Sequence, residues 1–399
     1  MPLGADASGK TIGVVGAGAM GVGIAQVAAV HAHPVILADQ SGSAVERARD
    51  AHVLALAREV EKARLTQAEA DAALARIHYV AGIGAGQSEQ FAPCGLVIEA
   101  IIERLAAKQA LFATLERLVA ADAVLATNTS SLAVAAIGGA CKHPERVVGI
   151  HFFNPAPVMP LVEVVPALTT DPLVVSGVRA LLGAWGKTTV VAADTPGFIV
   201  NRIARPFYGE ALRLLEEGIA DCATIDWAMR ELGGFRMGPF ELMDFIGNDV
   251  NYAVSVSIFE AMFYDPRYRP ALTQRRLVEA GRLGRKTRRG WYDYRDGAEP
   301  PAPRTDRALG ARVLDRVLAM LVNEAVEALH LRVASAEDIE VAMTKGVNYP
   351  KGLLAWGDEI GAGTVCARLE ALQVEYGEDR YRPSVLLRRL SKTNGRILA

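Results

Sequence analysis

One histidine and one glutamate lie in the apolar stretch of residues 146–165. His151 ends a strand-like run, and Glu163 lies in the next apolar run, beyond a turn that contains three prolines. An ionisable side chain is costly to bury without a partner, so we expect the two to meet. A histidine held by a buried carboxylate can act as a general base near neutral pH. The alternative is a hydrogen-bonded core histidine beside a solvated glutamate.

A glycine-rich turn near the amino terminus has the spacing that suits a dinucleotide. Gly16, Gly18 and Gly21 follow the β-branched run Thr11–Val15 and precede a helix-like stretch. In that order, the glycines permit a tight turn, approach of backbone amides to a pyrophosphate, and close packing of helix on strand. The pyrophosphate would lie at the helix N-terminus.

A carboxylate follows the next predicted strand, residues 34–38. The carboxylate belongs to Asp39, which lies eighteen positions after Gly21. A carboxylate there can accept hydrogen bonds from both adenosine ribose hydroxyls and would repel a 2′-phosphate, which favours NAD over NADP. The alternative is that Asp39 only caps the helix that follows.

Strand-like and helix-like stretches alternate through the first 190 residues. This alternation predicts an α/β fold with a Rossmann-type, doubly wound, mostly parallel sheet. Ligand-binding residues of such sheets collect at the carboxyl ends of the strands. Four polar residues come just after strand-like runs and should share one edge: Glu103, Asn128, Ser130 and His151.

From residue 197 onwards, the pattern is helical and occurs twice. Residues 202–247 match residues 316–361 at a spacing of 114, which indicates an internal duplication. Asn201 precedes the first copy, and Asp315 takes its place before the second. One copy could therefore complete a site while the other supplies only packing surface; the alternative is that both are scaffolding.

Three domains are predicted from these patterns. Residues 1–193 form the nucleotide-binding domain, and residues 194–296 and 305–399 form two all-α domains related by duplication. The proline-rich segment between the two helical domains fits a semi-rigid linker.

Composition narrows the class of protein. A net charge of −2 over 399 residues gives no general attraction to nucleic acid or membrane. The four cysteines are scattered and show no metal-ligand spacing, which fits a reducing compartment. The first nine residues lack the features of a signal peptide and suggest a short disordered leader. No apolar run is long enough for a membrane span, so we expect a soluble, cytoplasmic protein without a metal.

The chain resembles the 3-hydroxyacyl-CoA dehydrogenases, of the 3-hydroxybutyryl-CoA and 3-hydroxyadipyl-CoA type with tandem C-terminal domains. Seven motifs, in order over nearly the whole chain, carry the resemblance: GAGAMGVGIAQ, EAIIER, NTSSL, HFFNPAPVMPLVEVV, DTPGFIVNR, GPFELMDFIG and LGRKTRRGWYDY. Two positions depart from the family pattern. Arg288 stands where glycine is expected, and Pro160 stands where some relatives have lysine.

The resemblance implies a role for each site residue. His151 would be the catalytic base, Glu163 its orienting carboxylate, and Ser130 and Asn201 the groups that bind the substrate oxygen. Lys62 lies where the family sets a lysine against coenzyme A. The implied NAD contacts are Gly16, Gly18, Gly21 and Asp39 on the adenosine and pyrophosphate side, and Glu103, Lys108, Asn128 and Lys286 elsewhere on the cofactor.

The implied reaction is the reversible, NAD-dependent oxidation of an (S)-3-hydroxyacyl-CoA to the 3-ketoacyl-CoA. The resemblance suggests a short-chain acyl-CoA thioester from fatty-acid or aromatic-acid catabolism, and a homo-oligomer through the helical domains. Two alternatives stay open. One is a dehydrogenase of a free hydroxy or sugar acid on the same scaffold; the other is a non-catalytic NAD-binding structural protein.

Overall fold

A computed structural model gives the structure of residues 9–83 and 88–398. Residues 1–8 of the predicted leader lie outside this part of the chain. The contacts divide the chain into two units, Met1–Thr195 and Pro196–Ala399. The predicted division into three domains stays a prediction. In the described ranges, no helix is long and apolar enough to cross a membrane.

The first unit is built on one sheet of eight strands in the order β3-β2-β1-β4-β5-β6-β7-β8. The strands are β1 (Thr11–Val15), β2 (Val35–Asp39), β3 (Ile77–Ala81), β4 (Cys94–Glu99), β5 (Val124–Thr127), β6 (Val147–Phe152), β7 (Leu161–Pro166) and β8 (Thr188–Val191). Neighbouring strands pair in parallel, except β6 with β7. The predicted mostly parallel sheet is confirmed.

Helices connect the strands of this sheet. They are α1 (Ala19–Val30), α2 (Gly42–Glu61), α3 (Gln67–Ala75), α4 (Ser88–Phe91), α5 (Leu105–Leu118), α6 (Val134–Gly138) and α7 (Pro172–Ala184). Because helices cover a parallel sheet, its inner strands are apolar along nearly their whole length. β5 and β6 are buried at every residue and fit this rule.

Two short elements, β3 and α4, go beyond the elements predicted from the sequence. β3 lies at the edge of the sheet, where it pairs only with β2. Ile77 and Val80 are buried, but His78 and Ala81 are exposed, so its apolar run is broken. A five-residue strand with this composition gives a weak sequence signal.

The second unit is helical, and its described residues contain no strand beyond two isolated bridges. Its helices are α8 (Val200–Ile203), α9 (Arg205–Glu216), α10 (Cys222–Trp227), α11 (Pro239–Ile246), α12 (Asn248–Ala261), α13 (Leu272–Glu279), α14 (Arg307–His330), α15 (Ala336–Gly346), α16 (Leu353–Ile360), α17 (Ala362–Tyr376) and α18 (Val385–Thr393). The predicted helical character of this region is confirmed.

The duplication extends to the way helix ends are stabilised. Asp226 accepts hydrogen bonds from the first two backbone amides after Pro239, at the start of α11. Glu340 does the same for two amides at the start of α16. The two carboxylates lie 114 residues apart. Each satisfies N–H groups that a helix leaves unpaired at its N-terminus.

Buried ion pairs join the two copies reciprocally. Arg202 Nε of the first copy lies 2.7 Å from Glu324 Oε1 of the second. Arg316 Nε of the second copy lies 3.0 Å from Glu210 Oε2 of the first. All four side chains are buried. Each copy therefore supplies the arginine of one pair and the glutamate of the other.

Removing one charge from these reciprocal pairs should strongly lower the free energy of unfolding. Glu324→Gln keeps the size of the side chain but leaves Arg202 and Arg267 buried beside a neutral amide. It should lower the free energy of unfolding by about 3–5 kcal/mol. Urea titration followed by tryptophan fluorescence would measure this, because Trp227, Trp291 and Trp356 all lie in the second unit.

Glu279→Gln is the matched control, since Glu279 pairs with Arg275 at 2.8 Å on the exposed surface. Water and salt screen an exposed pair, so this variant should unfold close to the wild type. Equal losses in the two variants would show that burial does not set the strength of the pair at Glu324.

Candidate active site

His151 and Glu163 meet across the one antiparallel pair of the sheet. His151 in β6 stands directly opposite Glu163 in β7. Directly opposed residues of an antiparallel pair have Cβ atoms about 4.5–5.5 Å apart, close enough for their side chains to touch. His151 Nδ1 lies 2.6 Å from Glu163 Oε2, and the two residues are 5% and 0% exposed. The predicted contact is therefore present.

The contact assigns different tasks to the two ring nitrogens of His151. An ionised carboxylate can only accept a hydrogen bond, so Nδ1 donates to Glu163. In the neutral ring, Nε2 then carries the lone pair and is the nitrogen that can take a proton. The ring of Phe153, with its centroid 4.6 Å from that of the imidazole, packs beside it.

Asn128 braces the strand that carries His151. Its Oδ1 accepts a hydrogen bond of 2.8 Å from the backbone amide of Phe152. Asn128 follows β5, and Phe152 is the last residue of β6. The side chain therefore ties the ends of two neighbouring strands together, directly beside the histidine.

Glu103 holds the loop that carries Ser130. Its Oε1 accepts hydrogen bonds from the Thr129 hydroxyl at 2.5 Å, the Ser130 amide at 3.1 Å and the Ser131 amide at 3.2 Å. Burial alone would raise the pKa of Glu103, but the Lys108 ammonium and these hydrogen bonds hold that pKa below its usual value. The carboxylate is therefore ionised at neutral pH.

Lys108 lies between two carboxylates. Its ammonium is 2.5 Å from Glu99 Oε1 and 3.2 Å from Glu103 Oε2. Lys108 is only 1% exposed, and Glu99 is fully buried. The sequence reasoning did not single out Glu99 as a site residue. The available signal was its place at the end of β4, four positions before Glu103.

The three glycines of the turn differ in how closely the protein packs around them. Gly16 has a φ of +109°, and a Cβ there would lie 2.4 Å from the Ala100 carbonyl oxygen. A Cβ at Gly21 would lie 1.7 Å from the Gly16 carbonyl oxygen. Gly18 differs, because among the described residues no atom beyond the glycine and its two chain neighbours lies within 4 Å of its Cβ position. Protein packing therefore requires Gly16 and Gly21, whereas Gly18 leaves space beside the start of α1.

A cleft of about 540 Å³ opens beside this turn. Asp39 lies on its wall, where Oδ2 accepts from the Ala17 amide and Oδ1 from the Ser41 amide, both at 2.8 Å. These bonds orient the carboxylate. Other residues that line the cleft include Gly16, Gly18, Gln40, Ile83, Ala100, Ile102, Ala107, Leu111 and Thr114.

Three further predicted site residues lie on other elements. Asn201 lies in α8 of the second unit. Lys286, also in the second unit, has its ammonium 2.6 Å from Asp249 Oδ1. Lys62 is exposed at the C-terminal end of α2 in the first unit.

Arg288 stands where the family pattern has glycine, and its backbone is in a conformation that suits glycine. Arg288 has a φ of +56°, in the left-handed region that glycine adopts most easily. The expectation of glycine at this position therefore matches the backbone. The Arg288 guanidinium forms an ion pair with Asp296, which anchors the side chain on the surface.

Comparison with protein families matches nearly the whole chain. The description "3-hydroxyacyl-CoA dehydrogenase, NAD binding domain" matches residues 11–195. The description "3-hydroxyacyl-CoA dehydrogenase, C-terminal domain" matches two segments, residues 197–294 and 313–396. The two segments fall on the two helical copies.

Individual relatives show the same pattern. The chain is 41% identical over 464 residues to 3-hydroxyadipyl-CoA dehydrogenase from Escherichia coli, with 95% of this chain and 97% of the relative covered. It is 39% identical over 291 residues to 3-hydroxybutyryl-CoA dehydrogenase from Bradyrhizobium diazoefficiens, covering 73% and 97%. The crystal structure of 3-hydroxybutyryl-CoA dehydrogenase from Escherichia coli superposes with a TM-score of 0.89 at 38% identity, covering 97% and 99%.

The geometry at His151 predicts a spectroscopic signature. In protein with isotope-labelled histidine, the Nδ1 proton of His151 should resonate far downfield, because a short bond to a charged acceptor deshields it. Glu163→Gln should move the resonance upfield. Glu145→Gln, which alters the contact of the exposed His143 at 3.1 Å, should leave it in place. If the chemical shift of this proton does not change in Glu163→Gln, the contact between His151 and Glu163 is contradicted.

Proposed function

Because the chain belongs to the 3-hydroxyacyl-CoA dehydrogenase family, we propose that His151 is the base of the family reaction. The protein is an NAD-dependent oxidoreductase that oxidises 3-hydroxyacyl-CoA to 3-ketoacyl-CoA. The observation that carries the assignment of His151 is its 2.6 Å contact with the buried Glu163. That contact leaves Nε2 as the proton acceptor.

The residues of the glycine turn fit the cofactor. Gly16, Gly18 and Gly21 would hold the pyrophosphate beside the start of α1, since the Gly18 Cβ position is open. Asp39 would accept the ribose hydroxyls with a carboxylate that two backbone amides already orient. The family contacts assigned to the rest of the cofactor are Glu103, Lys108, Asn128 and Lys286.

Proton transfer and charge stabilisation come from the chain itself. The residues of the glycine turn would hold NAD, which would supply the hydride acceptor for C3 of an (S)-3-hydroxyacyl-CoA. His151 takes the hydroxyl proton on Nε2, and Glu163 stabilises the imidazolium that forms. Ser130 donates a hydrogen bond to the oxygen as it becomes a carbonyl, and the family resemblance assigns the same role to Asn201. In the reverse direction, His151 returns the proton.

We also propose the finer features of substrate and setting. The named relatives favour a short acyl chain, that of 3-hydroxybutyryl-CoA or 3-hydroxyadipyl-CoA, in fatty-acid or aromatic-acid catabolism. Lys62 would contact the coenzyme A part of the thioester, since its exposed ammonium can reach an anionic group. Free thiols at Cys94, Cys141, Cys222 and Cys366 fit a cytoplasmic location. Any homo-oligomer would form through the helical domains.

Removal of the imidazole tests the catalytic role. His151→Ala should lower kcat by about 10²–10⁴-fold, the usual contribution of a positioned base. NADH affinity, measured by fluorescence titration, should stay close to that of the wild type. His143→Ala, at an exposed histidine, is the control and should keep full activity. Loss of NADH binding in His151→Ala would instead assign His151 a structural role.

The thioester preference tests the substrate class. Lys62→Ala should lower kcat/KM for 3-hydroxybutyryl-CoA by about five-fold, which corresponds to one exposed ion pair. Activity on the truncated N-acetylcysteamine thioester should be unaffected. Lys142→Ala, at another exposed lysine, is the matched control and should not alter either rate. Equal oxidation of the CoA thioester and the free hydroxy acid would favour a dehydrogenase of free acids.

A further inference from the structure

A closed ring of hydrogen bonds lies at the carboxyl ends of β4 and β5, and one of its fully buried members, Glu99, has no part in the chemistry above. We propose that Glu99 is a positioning residue that fixes the backbone at Ser130. This inference rests on the proposed role of Ser130 in binding the substrate oxygen. Two chains of contacts lead from Glu99 to that loop.

The first chain runs through opposite charges. Glu99 Oε1 binds the Lys108 ammonium at 2.5 Å, and the same ammonium lies 3.2 Å from Glu103 Oε2. The other oxygen of Glu103 accepts the Ser130 amide at 3.1 Å. Lys108 therefore sets the position of Glu103, and Glu99 sets the position of Lys108.

The second chain runs through hydroxyl groups. Thr127 Oγ1 donates to Glu99 Oε2 at 2.6 Å and accepts from the Thr129 amide at 3.2 Å. The Thr129 hydroxyl then donates to Glu103 Oε1 at 2.5 Å and closes the ring. The two threonine hydroxyls each donate to a carboxylate oxygen, and the Lys108 ammonium lies within reach of one oxygen from each carboxylate.

The loop that carries Ser130 depends on this ring because it follows the end of β5, beyond the strand ladder. Its amides at Ser130 and Ser131 bind the carboxylate of Glu103. Glu99, Lys108 and Thr127 are at most 1% exposed, so water cannot replace a lost partner. Glu99 also accepts the Ile101 amide at 2.7 Å, which holds the turn leading to Glu103.

A double-mutant cycle tests the inference. Glu99→Gln keeps the shape of the side chain but removes the charge that holds Lys108. It should lower kcat by about 10–100-fold, the scale expected for a displacement of up to about 1 Å at a reacting group. In a Ser130→Ala background the same change should lower kcat by less than about three-fold, because the hydroxyl to be positioned is gone.

The results distinguish a failure of the proposed role of Ser130 from a failure of the proposed role of Glu99. If Ser130→Ala alone leaves kcat unchanged, the proposed role of Ser130 fails, and the inference fails with it. If Ser130→Ala lowers kcat and the factor for Glu99→Gln is equal in both backgrounds, only the inference is overturned. A loss confined to KM for NAD would also overturn it, since that would place Glu99 in cofactor binding.

Thr127→Val gives a second route that leaves the charged pair intact. It removes one link of the ring and should lower kcat by less than Glu99→Gln, again only when Ser130 is present. If Glu99→Gln does not fold, Thr127→Val replaces it in the double-mutant cycle with Ser130→Ala. An equal loss of kcat in both backgrounds would again overturn the inference.

Glu116→Gln is the matched control. Glu116 is a carboxylate of the same unit that accepts two backbone amides, at 2.8 and 2.9 Å, next to Arg146. It lies outside the ring, so kcat should be that of the wild type. Thermal unfolding of Glu116→Gln should resemble that of the wild type. Glu99→Gln should unfold at a lower temperature, because it removes one charge of a buried ion pair, so kcat is compared at a temperature at which every variant is folded. A kcat loss in Glu116→Gln equal to that in Glu99→Gln would overturn the inference as a general effect of lost carboxylates.

Discussion

The reversal of strand direction between β6 and β7 is the constraint on which the active site depends. It places Glu163 opposite His151 in the register of the sheet and gives the buried imidazole a charged partner. A slip of one residue would turn Glu163 to the other face of the sheet and leave two buried ionisable groups unpaired. The register is therefore set both by the apolar side chains of the two strands and by the cost of separating this pair.

The parallel part of the sheet supplies the remaining groups. Parallel strands end at a common edge, so polar residues at or just after the ends of β4, β5 and β6 converge without long connections. Asn128 ties the ends of β5 and β6 together, and Glu103 binds the amides of the loop after β5. A single ammonium, that of Lys108, lies between the carboxylates of Glu99 and Glu103. The edge is thus a connected polar network on an apolar sheet.

The second unit follows the same rule of paired burial on a larger scale. Glu210 and Glu324 are equivalent in the two copies, and each binds an arginine of the other copy. A buried carboxylate that faced only apolar neighbours would be strongly unfavourable. The reciprocal arrangement satisfies both at once. Within each copy, a carboxylate also satisfies backbone amides at the start of a helix. Asp226 does so in the first copy and Glu340 in the second.

Local patterns in the sequence determined the fold class, the glycine turn, the duplication and the pairing of His151 with Glu163. Those features depend on residue spacing and apolar periodicity, which are visible along the chain. These patterns did not predict the edge strand β3, because exposed residues interrupt its short apolar run. For the other buried charges, only the tertiary structure decided which partner each would take. Glu99 and Thr127 are 28 positions apart, and Arg202 and Glu324 are 122 positions apart. No local pattern specifies contacts across such distances, because folding alone brings these side chains together.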